Sequence, residues 1–214
     1  MPIEGLVDDG VVIVIDMIKD SLDQGEEFAQ INAAREMVPK LSELLEVSRE
    51  HGIPIVHAAS QDMRNSLIAR HWWPIRDGVS LIAGSPTVEV VDELRPAHYS
   101  EAEVYLSKGK YSCFYGTRLD IILRNPPFRG RNTLIITGIA TNFCCLCTAA
   151  DALNRDYDVV FVDDLNCTHD GIDGTPAETM HRVTVETLKQ GYVSEVVTAD
   201  GLLGRLRDEA SVAA

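Results

Sequence analysis

The chain has 214 residues, 45% of them hydrophobic and 24% charged, long enough for a substantial core and ordinary in globular composition. Acidic side chains outnumber basic ones 33 to 19, giving a net charge of −14, which sets nucleic acid aside because phosphate binding needs clustered Lys and Arg. No apolar run reaches the roughly 18 residues that span a bilayer, and MPIEGLVDDG lacks the basic and apolar regions of a signal peptide, so a soluble, cytoplasmic domain over 1–214 with no membrane partner is expected.

Short β-branched runs alternate with amphipathic stretches along the chain. Val11–Ile15 reads as the first strand and ends at Asp16. In Ile31–Glu50 the apolar residues Ile31, Ala34, Val38, Leu41 and Leu45 recur every three or four positions, one face of a helix, and Gly52 sits where a helix-ending residue belongs. Strand Ile53–Ala58 follows, then a Gly- and Pro-rich loop at Gly78–Pro86 and strand Val104–Lys108. Helix Arg118–Arg124, loop Asn125–Asn132, strand Leu134–Ile139 and helix Asn142–Arg155 come next. Strand Val159–Asp163, helix Pro176–Gln190 and strand Ser194–Thr198 complete the pattern. The strand runs are apolar on both faces, as in a buried parallel sheet, and their alternation with helices predicts a doubly wound α/β domain.

The five cysteines are Cys113, Cys144, Cys145, Cys147 and Cys167; an odd count without a signal peptide argues against a disulfide framework. Cys144 and Cys147 form a CxxC, but no second pair or HxxxH follows to complete a zinc site.

Ligands of open parallel sheets bind beyond the carboxyl ends of the strands, so reactive residues are sought there. Asp16 follows VVIVI, Lys108 closes VYLSK, and Cys144 lies in the turn ATNF after LIITGI. Each has a commoner structural use: Asp as a helix cap, Lys as a solvated strand end, Cys as a small core residue, which is the reading for Cys145 and Cys147. Cys144 differs because Thr141 or Asn142 as N-cap would put it in the first helical turn. There the helix dipole and free N–H groups favour a thiolate, lowering its pKa, and the same N–H groups bind an oxyanion. Lys108 would stabilise both charges, and Asp16 would take the thiol proton and later activate water.

These residues resemble the isochorismatase-like cysteine hydrolases over nearly the whole chain. The resemblance is carried by VVIVID, by KGKYSCFYGTRLDIIL and, most specifically, by the nucleophile turn TGIATNFCCLCTAADA. It assigns an Asp16–Lys108–Cys144 triad, with Lys108 rather than Lys110 as the lysine. It implies a three-layer fold with a six-stranded parallel sheet and helices on both faces. It also implies a cis peptide at Ile139–Ala140, which lets the Ala140 N–H join that of Cys144 in an oxyanion hole. The activity implied is thiolate attack on a small amide, ureido or N-carbamoyl substrate, loss of ammonia or an amine, and hydrolysis of the acyl-enzyme. No cofactor is implied, and a homo-oligomer, dimer or tetramer, is.

Departures from the family pattern narrow the reading. Asp16-Met17-Ile18-Lys19-Asp20-Ser21 lacks the Gln and Phe of the Met-Gln-Asn-Asp-Phe pattern that many members show. Nicotinamidase-like members bind a metal through Asp-x-His after the second strand; here His57 and Asp62 stand in the wrong order and spacing, so no metal is expected. Isochorismatase-type vinyl-ether hydrolysis and a non-catalytic binding role are the alternatives; the first does not need a thiol, and the retained triad argues against the second. Arg70, Trp72, Trp73 and Arg76 form either a lid for a planar, carboxylate-bearing substrate or a subunit contact. Tyr111 and Phe114, close after Lys108, are candidate pocket residues, whereas His169 and Asp170 read as a solvated loop pair.

Overall fold

The computed structural model describes residues 2–22, 32–61, 67, 81 and 83–213. Six parallel strands form the middle layer: β1 (Gly10–Ile15), β2 (Ile55–Ser60), β3 (Glu103–Lys108), β4 (Thr133–Ile139), β5 (Asp158–Cys167) and β6 (Glu195–Val197), in the order β3-β2-β1-β4-β5-β6. The order reverses between β1 and β4, and at such a switch point the connections leave in opposite directions and open a crevice above the carboxyl ends. Every residue of β1 and β4 is buried, because helices cover both faces of the sheet.

The alternation of side chains along each strand divides the core in two. Val12 and Val14 of β1 face α1 (Asn32–Glu50) and the last helix, where Ala34, Val38, Leu41, Leu45, Leu202 and Leu206 are buried. Val11, Ile13 and Ile15 face the opposite layer of α2 (Leu119–Leu123), α3 (Leu146–Leu153) and α4 (Ala177–Lys189). Each fully buried Leu or Val contributes about 1.5–3 kcal/mol, so the helix stripes read from the sequence hold the layers together.

Two elements depart from the sequence reading. The last helix, α5 (Ala199–Ala213), has no counterpart among the elements read from the sequence; Gly201 and Gly204 lower its intrinsic propensity, but Leu202, Leu203 and Leu206 are buried and packing overrides it. Strand β5 runs on to Cys167 instead of ending at Asp163, because the register shifts between Ile136 and Gly138 of β4. The Asn166 amide spans the irregularity, donating to Ile136 O (2.9 Å) and Val162 O (2.6 Å). Gly138 is needed there: at φ 113 a Cβ would lie 2.0 Å from Ile15 O.

A buried ionic network ties α1 to the start of β3. The Arg49 guanidinium donates to both Glu103 oxygens, at 2.9 and 2.8 Å, and His57 Nε2 lies 2.7 Å from Glu103 Oε1. Burial alone would raise the Glu103 pKa, but Arg49 and His57 outweigh it and hold the carboxyl down to about 2. A depressed folded-state pKa contributes stability above the unfolded value and loses it as pH falls through the folded one. Glu103→Gln is therefore expected to flatten the acid loss of stability between pH 4.5 and about 2, measured by urea denaturation across that window.

Candidate active site

The carboxyl ends of β1, β2 and β3 and the turn after β4 converge on Lys108. Its side chain is fully buried, and its ammonium donates to Asp16 Oδ2 at 2.7 Å and Ser60 Oγ at 2.7 Å, with Cys144 Sγ at 3.2 Å and Lys110 O at 3.3 Å within reach of its third N–H. Burial would push the Lys108 pKa down, but the Asp16 charge and the hydrogen bond to it outweigh that and raise it above its ordinary value. The lysine stays charged.

Asp16 reaches this position by leaving the strand conformation. Its φ is 54, a left-handed geometry that Asp tolerates better than most residues. Its N–H still donates to Ala58 O (2.8 Å), while Oδ1 accepts from the Ser60 N–H (2.7 Å). Ser60, which no sequence motif singled out, thus holds both the carboxylate and the ammonium. The signal is its place at a strand end, hidden because the strand read from the sequence ends at Ala58, two residues short; Ser60 pairs with Lys108 in the sheet register.

Cys144 is buried in a π-helical turn, Thr141–Cys145, that leads into α3. The peptide between Ile139 and Ala140 is cis, and the Ala140 carbonyl accepts from the N–H groups of Phe143 (3.0 Å) and Cys145 (3.2 Å). Contrary to the sequence expectation, neither Thr141 nor Asn142 caps the helix. The Thr141 hydroxyl lies 2.8 Å from His181 Nδ1, and Asn142 Oδ1 accepts from Thr168.

The thiol also departs from expectation. Burial, reinforced by the Asp16 charge, pushes the Cys144 pKa well above its ordinary value, and Lys108 only partly opposes this. Dehydration outweighs the helix start, so the resting thiol is protonated beside an existing ion pair. Burial likewise lifts Cys113 to about 11 and Cys167 to about 12. Cys145 is fully buried in the core and Cys147 partly exposed, and all five cysteines are free.

Beside the turn that carries Cys144 the Tyr111 ring stands 5.4 Å from Phe143, which stacks on His169 at 5.6 Å. Phe143 carries no expectation in the sequence reading, although its adjacency to Cys144 is an available signal; His169, read there as half of a solvated loop pair, is half-buried against the Phe143 ring. Asp170, read as a solvated loop residue, caps α4 by accepting from the Ala177 N–H at 2.7 Å. Phe114 does not meet the pocket-lining expectation. It is buried in the core with its ring 4.5 Å from the Arg155 guanidinium and 6.2 Å from Tyr157, because the chain turns it toward the helical layer. Arg70, Trp72, Trp73 and Arg76 lie outside the described residues, as does Asp62. His57 is committed to Glu103, and among the described residues no group of three or more His, Cys, Asp or Glu is arranged to hold a metal ion. At the positions that depart from the family pattern, Ile18 bridges Val90 and Lys19 pairs with Glu89 and Asp92; they fasten a neighbouring loop.

Comparison with known proteins adds to this geometry. The model of the isochorismatase domain matches residues 11–200. The ureidoacrylate amidohydrolase of Methylobacterium radiotolerans is 35% identical over 126 residues, 58% of this chain and 44% of that protein. The chain spans less than half the length of several such curated relatives it matches. A cysteine hydrolase from Pseudomonas syringae pv. phaseolicola superposes with a TM-score of 0.83 at 27% identity, covering 98% of this chain and 96% of the other. The N-carbamoylsarcosine amidase of Thermoplasma acidophilum gives a TM-score of 0.72 at 28% identity, covering 90% and 97%.

Two measurements follow from the charges. Lys108→Met leaves the Asp16 carboxylate buried without its partner and is expected to cost about 3–5 kcal/mol in urea denaturation, with much of that loss recovered in the Asp16→Asn/Lys108→Met double variant. Because the Cys144 pKa is raised, its iodoacetamide alkylation, followed by mass spectrometry, should still be climbing as pH reaches the ordinary thiol value of 9.0; a plateau already reached at neutral pH contradicts the protonated resting thiol.

Proposed function

The chain belongs to the isochorismatase family, and from that premise we propose that it is a cysteine amidohydrolase cleaving a small amide, ureido or N-carbamoyl substrate. The observation that carries the reading is the Lys108 ammonium lying within 3.2 Å of the Cys144 sulfur and 2.7 Å of the Asp16 carboxylate. The names of the ureidoacrylate and N-carbamoylsarcosine relatives support the same bond class.

In this mechanism the Cys144 proton moves to Asp16 as the sulfur attacks the carbonyl carbon, so no free thiolate accumulates. Lys108 stabilises the sulfur charge during transfer. The Ala140 and Cys144 N–H groups bind the oxyanion, stronger donors for a full negative charge than for a ground-state carbonyl. As the C–N bond breaks, Asp16 returns the proton to the nitrogen, which leaves as ammonia or an amine. Water then adds to the thioester, giving its proton to Asp16, and the departing sulfur recovers that proton. A substrate with a polar, planar ureido group suits the aromatic side formed by Tyr111 and Phe143.

Vinyl-ether hydrolysis, the alternative within the family, has no need of a thiol. Cys144→Ala and Cys144→Ser are expected to lower turnover by about three orders of magnitude in an ammonia- or amine-release assay across small amides, ureido acids and N-carbamoyl compounds. Turnover that survives both substitutions overturns the cysteine mechanism.

A further inference from the structure

Behind the nucleophile turn lies a second chain of polar groups that the mechanism above does not use. His181, in α4, has Nδ1 2.8 Å from the Thr141 hydroxyl and Nε2 3.0 Å from Asp163 Oδ1 of β5. Thr141 is fully buried, whereas His181 and Asp163 are partly exposed. A carboxylate beside Nε2 keeps the imidazole proton on that nitrogen, which leaves Nδ1 as an acceptor. The Thr141 hydroxyl then donates to Nδ1, and its rotamer is fixed by a bond reaching through α4 to the sheet.

Thr141 directly follows Ala140 and opens the turn that carries Cys144. The hydroxyl is the point at which this turn is fastened to α4 and β5. On its other side the fastening is the Thr168 hydroxyl donating to Asn142. Displacement of a reacting group by as little as about 1 Å costs as much as 100-fold in rate, so the turn needs anchors that do not themselves touch the substrate.

We propose that the Asp163–His181 pair is a positioning device for hydrolysis: through the Thr141 hydroxyl it fixes the turn that aims the Ala140 and Cys144 N–H groups at the oxyanion. The inference rests on the amide-hydrolysis reading above. Because the oxyanion exists only after attack, the pair acts on the transition state and not on the bound substrate. Its loss lowers kcat and leaves KM nearly unchanged.

The two nitrogens of His181 can be tested separately. His181→Gln places an amide where Nε2 stood and keeps reach to Asp163 but abandons Thr141; His181→Asn places an amide near the Nδ1 position and keeps the partner of Thr141. Asp163→Leu removes the acceptor from Nε2, so that nothing holds the imidazole proton there and Nδ1 is no longer kept as the acceptor of the Thr141 hydroxyl. Steady-state kinetics on a substrate found in the release assay should show kcat down about 10- to 100-fold in His181→Gln and Asp163→Leu, with KM within about twofold, and most of the loss recovered in His181→Asn. Nitrogen-15 NMR of the resting wild-type protein should show the His181 proton on Nε2, and in Asp163→Leu a larger share of it on Nδ1. Equal losses in the Gln and Asn variants, a change carried by KM alone, or a wild-type proton on Nδ1 each overturn the proposal. If the wild-type protein turns over no amide, ureido or carbamoyl compound, the hydrolase reading fails instead, and the proposed role in catalysis falls with it, whatever the tautomer.

Discussion

An ammonium sealed from water must be matched by charge and hydrogen bonds, and the arrangement above the sheet answers that demand from Lys108. Removing either ion of a pair from water costs several kcal/mol even after relaxation, so the pair persists only where its geometry is close and its remaining valences are filled. Asp16 supplies the counter-charge at 2.7 Å, Ser60 accepts a second bond, and the Cys144 sulfur lies within reach. Three features of the fold exist in this form to permit it. Strand β2 lies between the strands that carry the two ions and contributes Ser60 to both; Asp16 adopts a left-handed backbone; and Gly138, lacking a side chain, lets β4 approach β1 beside the turn that carries the thiol.

The ion pair also explains how a buried thiol is tolerated beside a carboxylate. A free thiolate in the same place would add an anion beside Asp16, and the combined effect of burial and that carboxylate keeps the proton on sulfur. The resting site is thus one cation, one anion and one neutral thiol, a balanced set in a poorly hydrated place. In the proposed mechanism a proton shifts within the set, which creates no net charge. Lys108 remains charged throughout, held by its neighbours against the burial that would discharge it.

Much of this was legible in the chain itself. The strand runs, the helix face of Ala34, Val38, Leu41 and Leu45, and the place of Asp16 and Lys108 at strand ends are local in origin: periodicity and β-branching record which faces are dry. The α/β class and the order of elements followed from them. Features produced by two distant segments were not legible. The extension of β5 past two aspartates depends on a register shift in β4 and on Asn166 reaching across it. Helix α5 forms against its glycines because the sheet face needs covering. Phe114 turns into the core instead of toward the site, a direction that neighbouring motifs do not encode.

The sequence by itself determined the layered fold, the strand ends that carry Asp16 and Lys108, and the turn that carries Cys144, because these depend on side-chain chemistry and spacing within single segments. Only the tertiary structure decided which atoms meet: the ammonium among Asp16, Ser60 and Cys144, the Thr141 hydroxyl against His181, and the protonated state of the thiol. The reason is physical. A pKa and a hydrogen bond are set by dehydration and by charges brought in from other strands, and these are properties of the assembled sheet that no single segment possesses.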